Sequence, residues 1–126
     1  MTPLLFVLVA LAGGVGASSR LFLDGMIRSR VSRTIPWATV IINVTGSFAL
    51  GLITGLVASN LVSPEWFAVI GTGFLGGYTT FSTASFETVR LLQERKWGPA
   101  LLNGLGVLVV ATTAAGLGLL LGAAVG

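Results

Sequence analysis

The chain contains no cysteine and no histidine. The first absence excludes disulfide frameworks and thiolate chemistry. The two together exclude the usual structural zinc sites, and the second removes the imidazole that general acid–base catalysis most often uses. Charge is scarce too: seven Lys/Arg and four Asp/Glu make up 9% of 126 residues, against about 25% in soluble domains. So few charges cannot cover the surface of a small globule. Disorder is excluded by the opposite property, because 54% of the residues are hydrophobic and the mean hydropathy is +0.97. A nucleic-acid partner is excluded as well. The pI is near 10.7, but the net charge is only +3, without a dense basic face. No phosphate-binding loop or dinucleotide fingerprint is present.

What is there is apolar length. Residues 1–19, 34–64, 66–86 and 97–126 carry no charge, and each run suffices for a bilayer-spanning helix of about 20 residues. The reading is an all-α membrane protein surrounded by lipid, one domain over 1–126, with spans at about 3–25, 36–59, 65–90 and 98–124. The Val15-Gly16-Ala17 stretch resembles a signal-peptidase site, but no Lys or Arg precedes Arg20, so the basic leader of a signal peptide is missing. Four spans put both termini on one side and the 26–35 and 91–98 linkers on the other. Arg28, Arg30, Arg33, Arg90, Arg95 and Lys96 lie in or beside those two linkers, and the opposite side has no basic residue. This bias places the basic linkers in the cytoplasm of a cell (inner or plasma) membrane and both termini outside.

Polar residues inside the spans are costly and face protein or water-filled paths. Thr39, Asn43, Ser47, Gly51 and Thr54 recur every three or four residues on one face of span two. Gly51 and Gly55 on nearly the same stripe admit another helix. Gly13, Gly16 and Arg20 share a face of span one, and Asn103, Gly106 and Thr113 share one loosely in span four. Packing explains single Ser, Thr or Gly residues, and Arg20 can snorkel to the basic side. Asn43 is different, because an amide near mid-span needs partners for two donors and a carbonyl.

Span three contains Gly76-Gly77 followed by Thr79-Thr80, Ser82 and Thr83, all poor helix formers. A break there near mid-span would release backbone groups at membrane depth, a known way to hold a cation. The competing reading is an unbroken helix that packs through Gly73 and Gly77. No span has a carboxylate at its centre, which disfavours a proton-coupled cation exporter such as a small multidrug-type transporter. Hydroxyls, an amide and the positive ring edge of Phe81 suit a small, strongly hydrated anion.

Three ordered motifs carry a resemblance over nearly the whole chain. They are Gly13-Gly-Val-Gly-Ala-Ser-Ser-Arg20, Thr39-Val-Ile-Ile-Asn43-Val-Thr-Gly-Ser47, and Gly73-Phe-Leu-Gly-Gly-Tyr-Thr-Thr-Phe-Ser-Thr83 followed by Glu87. Together they resemble the small dual-topology fluoride channel family (Fluc/CrcB). The resemblance implies an antiparallel dimer with two fluoride pores along the subunit interface and no enzymatic activity. By motif position, Asn43, Phe81, Thr80, Ser82, Thr83 and Thr39 would line the fluoride path. Arg20 would sit near a vestibule, and the backbone carbonyls of Gly76 and Thr79 would hold a central structural sodium ion. The implied function is passive export of cytoplasmic fluoride, which lowers its toxicity.

Two features depart from that pattern. The family's third-helix motif continues to a second phenylalanine where this chain has Ala84, and Phe86 lies about 200° further around the helix. The fourth-helix tyrosine is also absent, with Asn103 near its place. The six-to-none charge bias in turn disfavours insertion in both orientations, which an antiparallel homodimer needs. The partner is therefore either a second copy or an inverted paralogue that supplies the missing ring. A non-conducting structural subunit of such a heterodimer is the alternative function.

Overall fold

The structure, a computed structural model, describes residues 2–30 and 36–125. Arg33 of the first basic linker and the side chain of Ser82 lie outside the described residues. Every described element is helical. Helix α1 (Pro3–Arg28) opens on Thr2, whose hydroxyl accepts the Leu5 amide at 3.1 Å, with Pro3 in the first turn, where its missing N–H is no loss. Helix α2 (Trp37–Ala58) is followed by Asn60 in the left-handed region, φ 61°. The Asn60 amide donates to the Val57 carbonyl at 3.0 Å and the Leu61 amide to Leu56 at 2.9 Å, the paired bonds of a Schellman termination.

Helix α3 (residues 64–78) starts on Ser63, whose hydroxyl accepts the Trp66 amide at 3.3 Å, followed by Pro64. Helix α4 (Phe81–Gln93) terminates as α2 does, with Arg95 at φ 59° and the Lys96 amide donating to Leu91 at 2.9 Å. Helix α5 (Trp97–Val125) completes the chain. Both α3 and α5 contain π-helical stretches, Ala68–Leu75 and Leu102–Gly106; such wide turns are rare and frequent at functional sites.

Helices α1, α2 and α5 are each long and apolar enough to cross a membrane. Their outward residues confirm the environment: Leu4, Phe6, Leu21, Phe22 and Leu120 are all exposed, while the buried apolar core is little more than Ala38, Ile42, Ile53, Leu75, Leu91, Ala100 and Val107. This is the surface of a helical membrane protein. Trp37 and Trp97 mark one end and Trp66 the other, all exposed, as ring belts at the two lipid–water boundaries are.

With little apolar surface hidden inside, backbone proximity holds the helices together. A Cβ at Gly51 of α2 would overlap the Ala115 carbonyl, and one at Gly118 of α5 would overlap the Phe48 carbonyl. The Gly51 stripe read from the sequence therefore admits α5. A second seam joins α1 to α3, where a Cβ at Gly16 would overlap Phe74 and one at Gly77 would overlap Gly13.

Gly51→Ala and Gly118→Ala should each cost about 1–3 kcal/mol of stability, as overpacking does. The check is the loss of helical circular dichroism on heating in detergent, which should come earlier in both variants. Gly116→Ala, with nothing within 4 Å of its added carbon, should leave the transition in place.

Candidate functional site: an interrupted helix clamped by an amide

The interruption anticipated in span three falls between α3 and α4. Thr79 (ψ 158°) and Thr80 (φ −146°, ψ 117°) are both extended. Local chemistry explains both edges. The Thr79 amide and hydroxyl each donate to the Leu75 carbonyl at 3.0 Å, which closes α3. The Thr80 hydroxyl accepts the Thr83 amide at 3.3 Å and so caps α4, an N-cap role that Thr fills well.

The Thr80 amide, just ahead of the first turn of α4, has no donor role within either helix. Asn43 of α2 meets both Thr80 peptide groups: its Nδ2 donates to the Thr80 carbonyl at 3.0 Å, and its Oδ1 accepts the Thr80 amide at 2.9 Å. This reciprocal pair fixes the orientation of the amide, since only the nitrogen can donate. Gly46, one turn further along α2, permits the approach, because a Cβ there would overlap the Thr79 methyl group.

The break opens onto a groove of about 720 Å³ lined by Asn43, Ser47, Gly76, Thr79, Thr80 and Phe81, with Ala84 and Asn103 further along. Among the described residues, no charged side chain lines it. The Phe81 ring is 87% exposed. Asn43 is half-buried, and Thr80 takes only one of its two amide hydrogens, so the other is available to the groove.

The carbonyls of Gly76 and Thr79 have lost their regular helical donors. The Thr80 amide is given to Asn43 and the Thr83 amide to the Thr80 hydroxyl. Both residues line the same groove, and no group of three or more carboxylates or other metal ligands exists among the described residues. Neutral carbonyl oxygens without carboxylates fit a hard monovalent cation such as sodium.

Other anticipated residues sit elsewhere. Thr39 is buried, and its hydroxyl donates to Glu87 at 2.6 Å. Thr83 is half-buried against the Thr80 hydroxyl at 3.2 Å. Neither Thr39, Thr83 nor Arg20 lines the groove, and Arg20 Nε is buried without a hydrogen-bond partner among the described residues.

Two residues gain a role that sequence reasoning left vague. Glu87 is buried, accepts from Thr39, and pairs with Arg28 at 3.1 Å, while Arg28 also holds Asp24 at 2.9 Å. This ties the ends of α1, α2 and α4 together. Its signal was a lone acid two turns after the Thr79-Thr80 pair in an otherwise uncharged stretch. Asn103 is buried and donates to the Ala84 carbonyl at 3.1 Å and the Thr88 hydroxyl at 2.7 Å, so the π-helical stretch of α5 is pinned to α4.

Comparison with known proteins matches residues 7–119 to the family described as "CrcB-like protein, Camphor Resistance (CrcB)". The chain is 58% identical over 122 residues to "Fluoride-specific ion channel FluC 1" of Leifsonia xyli subsp. xyli, covering 97% of this chain and 89% of that one. It is 46% identical over 118 residues to "Fluoride-specific ion channel FluC 2" of Cutibacterium acnes (93% and 96%). It is 41% identical over 115 residues to "Fluoride-specific ion channel FluC" of Magnetococcus marinus (90% and 94%).

Asn43→Ala should remove both bonds to the Thr80 peptide groups, at a cost of about 0.5–1.5 kcal/mol for each. Amide hydrogen exchange in micelles reads this directly. The Thr80 amide should exchange at least about tenfold faster, the equivalent of 1.4 kcal/mol, while amides in the middle of α2 keep their rates.

Proposed function

The chain belongs to the CrcB-like family, and on that premise we propose that it is a subunit of a passive, fluoride-selective channel that exports cytoplasmic fluoride. It is not an enzyme. The observation that carries the reading is the groove at the helix break, where an oriented amide, hydroxyls and an exposed ring meet without a charged side chain among the described residues.

On this reading α1, α2, the α3–α4 pair and α5 form four spans, with the basic linkers in the cytoplasm and both termini outside. A second subunit, a copy or a paralogue, packs inverted against the groove and closes it into a path. Fluoride entering the path exchanges hydration water for fixed donors. Asn43 offers its second N–H, with its position set by the Thr80 clamp. Thr80, which lines the groove, carries a hydroxyl at the start of α4. Of the others anticipated from the motif, Ser82 and Thr83 follow it in the sequence, and Thr39 lies one turn from Asn43 toward the basic end. Phe81 turns a positive ring edge to the anion. A basic residue such as Arg20 near the mouth raises the local anion concentration. Donors fixed in place favour the smaller anion, because chloride cannot approach them closely enough to repay its own dehydration.

The carbonyls of Gly76 and Thr79, doubled by the second subunit, would hold a sodium ion. Bound there, it would neutralise carbonyl dipoles that otherwise face each other across the interface, a structural role. Transport then needs no coupling. Hydrogen fluoride crosses the membrane neutral and ionises inside, and the membrane potential drives the anion out at about 2.3 kcal/mol per 100 mV.

The test is efflux from liposomes loaded with fluoride and chloride, reconstituted from detergent, where copies pair in either orientation. Fluoride should leave and chloride remain; loss of both, or of neither, contradicts the reading. Asn43→Asp should slow fluoride by at least about tenfold, as 1.4 kcal/mol of charge repulsion would, and Phe81→Ile should reduce flux to background. Unchanged flux in both variants would remove the groove from the path.

A further inference from the structure

The corner where α4 turns into α5 carries charge that the fold does not use. Arg90, Arg95 and Lys96 stand there against one acid, Glu94. Its carboxylate is shared between Lys96 at 3.2 Å and Arg90 at 3.8 Å. All three of these side chains are nearly half exposed, and ion pairs so open to water are weak. Arg95 is exposed and makes no ion pair among the described residues. Arg28 is the contrast: Asp24 holds it at 2.9 Å and the buried Glu87 at 3.1 Å. The backbone adds a further sign. Arg95 lies in the left-handed region at φ 59°, as Asn60 does at φ 61°. Asparagine or glycine suits that conformation and arginine is strained in it, so the turn alone does not call for an arginine.

The neighbours of these cations place them at the level of lipid headgroups. Trp97 follows Lys96 directly and its side chain is 65% exposed; Trp37, at the same end of the bundle, is exposed as well. Exposed indole rings at the ends of spans sit where acyl chains give way to headgroups. No atom of the chain comes within 4 Å of a carbon added at Gly98, so the surface beside the Trp97 ring is open. The first anion that a cation meets at this level is a lipid phosphate. An arginine fork takes phosphate oxygens two at a time, and a lysine adds a point charge. The indole N–H supplies one more donor.

We propose that the Arg95-Lys96-Trp97 corner binds the headgroup of an anionic phospholipid, with Arg95 and Lys96 on the phosphate and the Trp97 ring against the glycerol region. Lys96 turns from Glu94 to the phosphate, and Glu94 is left to Arg90. The site is separate from the groove: Arg95 and Lys96 do not line it, and about four helical turns lie between Phe81 and this corner. It holds whichever ion the groove conducts. Each Lys or Arg beside an anionic surface strengthens the attraction about fivefold. With Glu94 and salt acting against the pair, the expected preference over a zwitterionic lipid is about threefold or more.

The test uses the whole chain in vesicles of mixed phosphatidylcholine and phosphatidylglycerol, with bromine on the acyl chains of one lipid or the other. Bromine quenches the fluorescence of a tryptophan that its lipid touches. The chain has three tryptophans. Trp37→Phe with Trp66→Phe leaves Trp97 as the reporter, and Trp37→Phe with Trp97→Phe leaves Trp66 at the opposite end. Phosphatidylglycerol should occupy the surface at Trp97 about threefold or more above its share of the bilayer, and the surface at Trp66 in proportion to its share. Arg95→Asn with Lys96→Gln should return Trp97 to proportion. Arg95→Asn alone relieves the left-handed backbone, so it keeps the fold and should lower the preference partway; it decides the matter should the double variant fail to fold. Proportional quenching at Trp97 in the unaltered corner overturns the proposal. A preference that survives these substitutions, or one of equal size at Trp66, overturns it too, because diffuse attraction would then suffice.

Discussion

One reciprocal hydrogen-bonded pair holds the centre of this protein together. A helix that stops inside a hydrophobic span leaves backbone amides and carbonyls without regular helical partners, which is costly where water is excluded. Here Asn43 accepts the Thr80 amide at 2.9 Å and donates to the Thr80 carbonyl at 3.0 Å. The clamp makes the break affordable, and the break creates the groove. The same bonds leave Asn43 oriented, with one donor to spare. Structural and functional demands thus fall on a single amide, which is why an Asn at that depth is hard to explain by packing alone.

Everything around the clamp serves its geometry. The glycine seams bring α1 onto α3 and α2 onto α5, so that backbones rather than side chains set the spacing. Gly46 lets Thr79 sit against α2. The Thr39–Glu87 bond fixes α4 along α2 one turn before Asn43, so the second half of the broken span is held at two points. Arg28 and Asp24 extend that anchor to α1. A charged group costs less at this end, near the basic linkers, than it would beside the groove, which no charged side chain among the described residues lines.

Much of this was legible in the sequence because the bilayer imposes so few solutions. Charge-free runs of about 20 residues can only be spans or buried helices. Pro3, Pro64 and Ser63 punctuate helix starts as their chemistry requires. Gly76-Gly77 and Thr79-Thr80 announced the break; the competing reading of an unbroken helix fails, since α3 stops at Tyr78, but the packing face it named is real, because Gly73 and Gly77 meet α1. The clamp itself was not legible. Asn43 and Thr80 are 37 residues apart, and no local pattern says which backbone group an amide will meet. For the same reason Thr39 read as a neighbour of Asn43 on one helical face, while its hydroxyl is committed to Glu87, 48 residues away. The π-helical turns were invisible because they depend on how α3 and α5 pack. Asn103 could be placed only loosely until the α5 turn that carries it was seen against Ala84 and Thr88.

The claim that depends most on this arrangement is that the groove at the break conducts fluoride and little else. The most direct measurement is the zero-current potential across a planar bilayer with fluoride and chloride gradients set in opposite directions. The account predicts reversal at the fluoride equilibrium potential. Reversal near the chloride or the cation potential would contradict it.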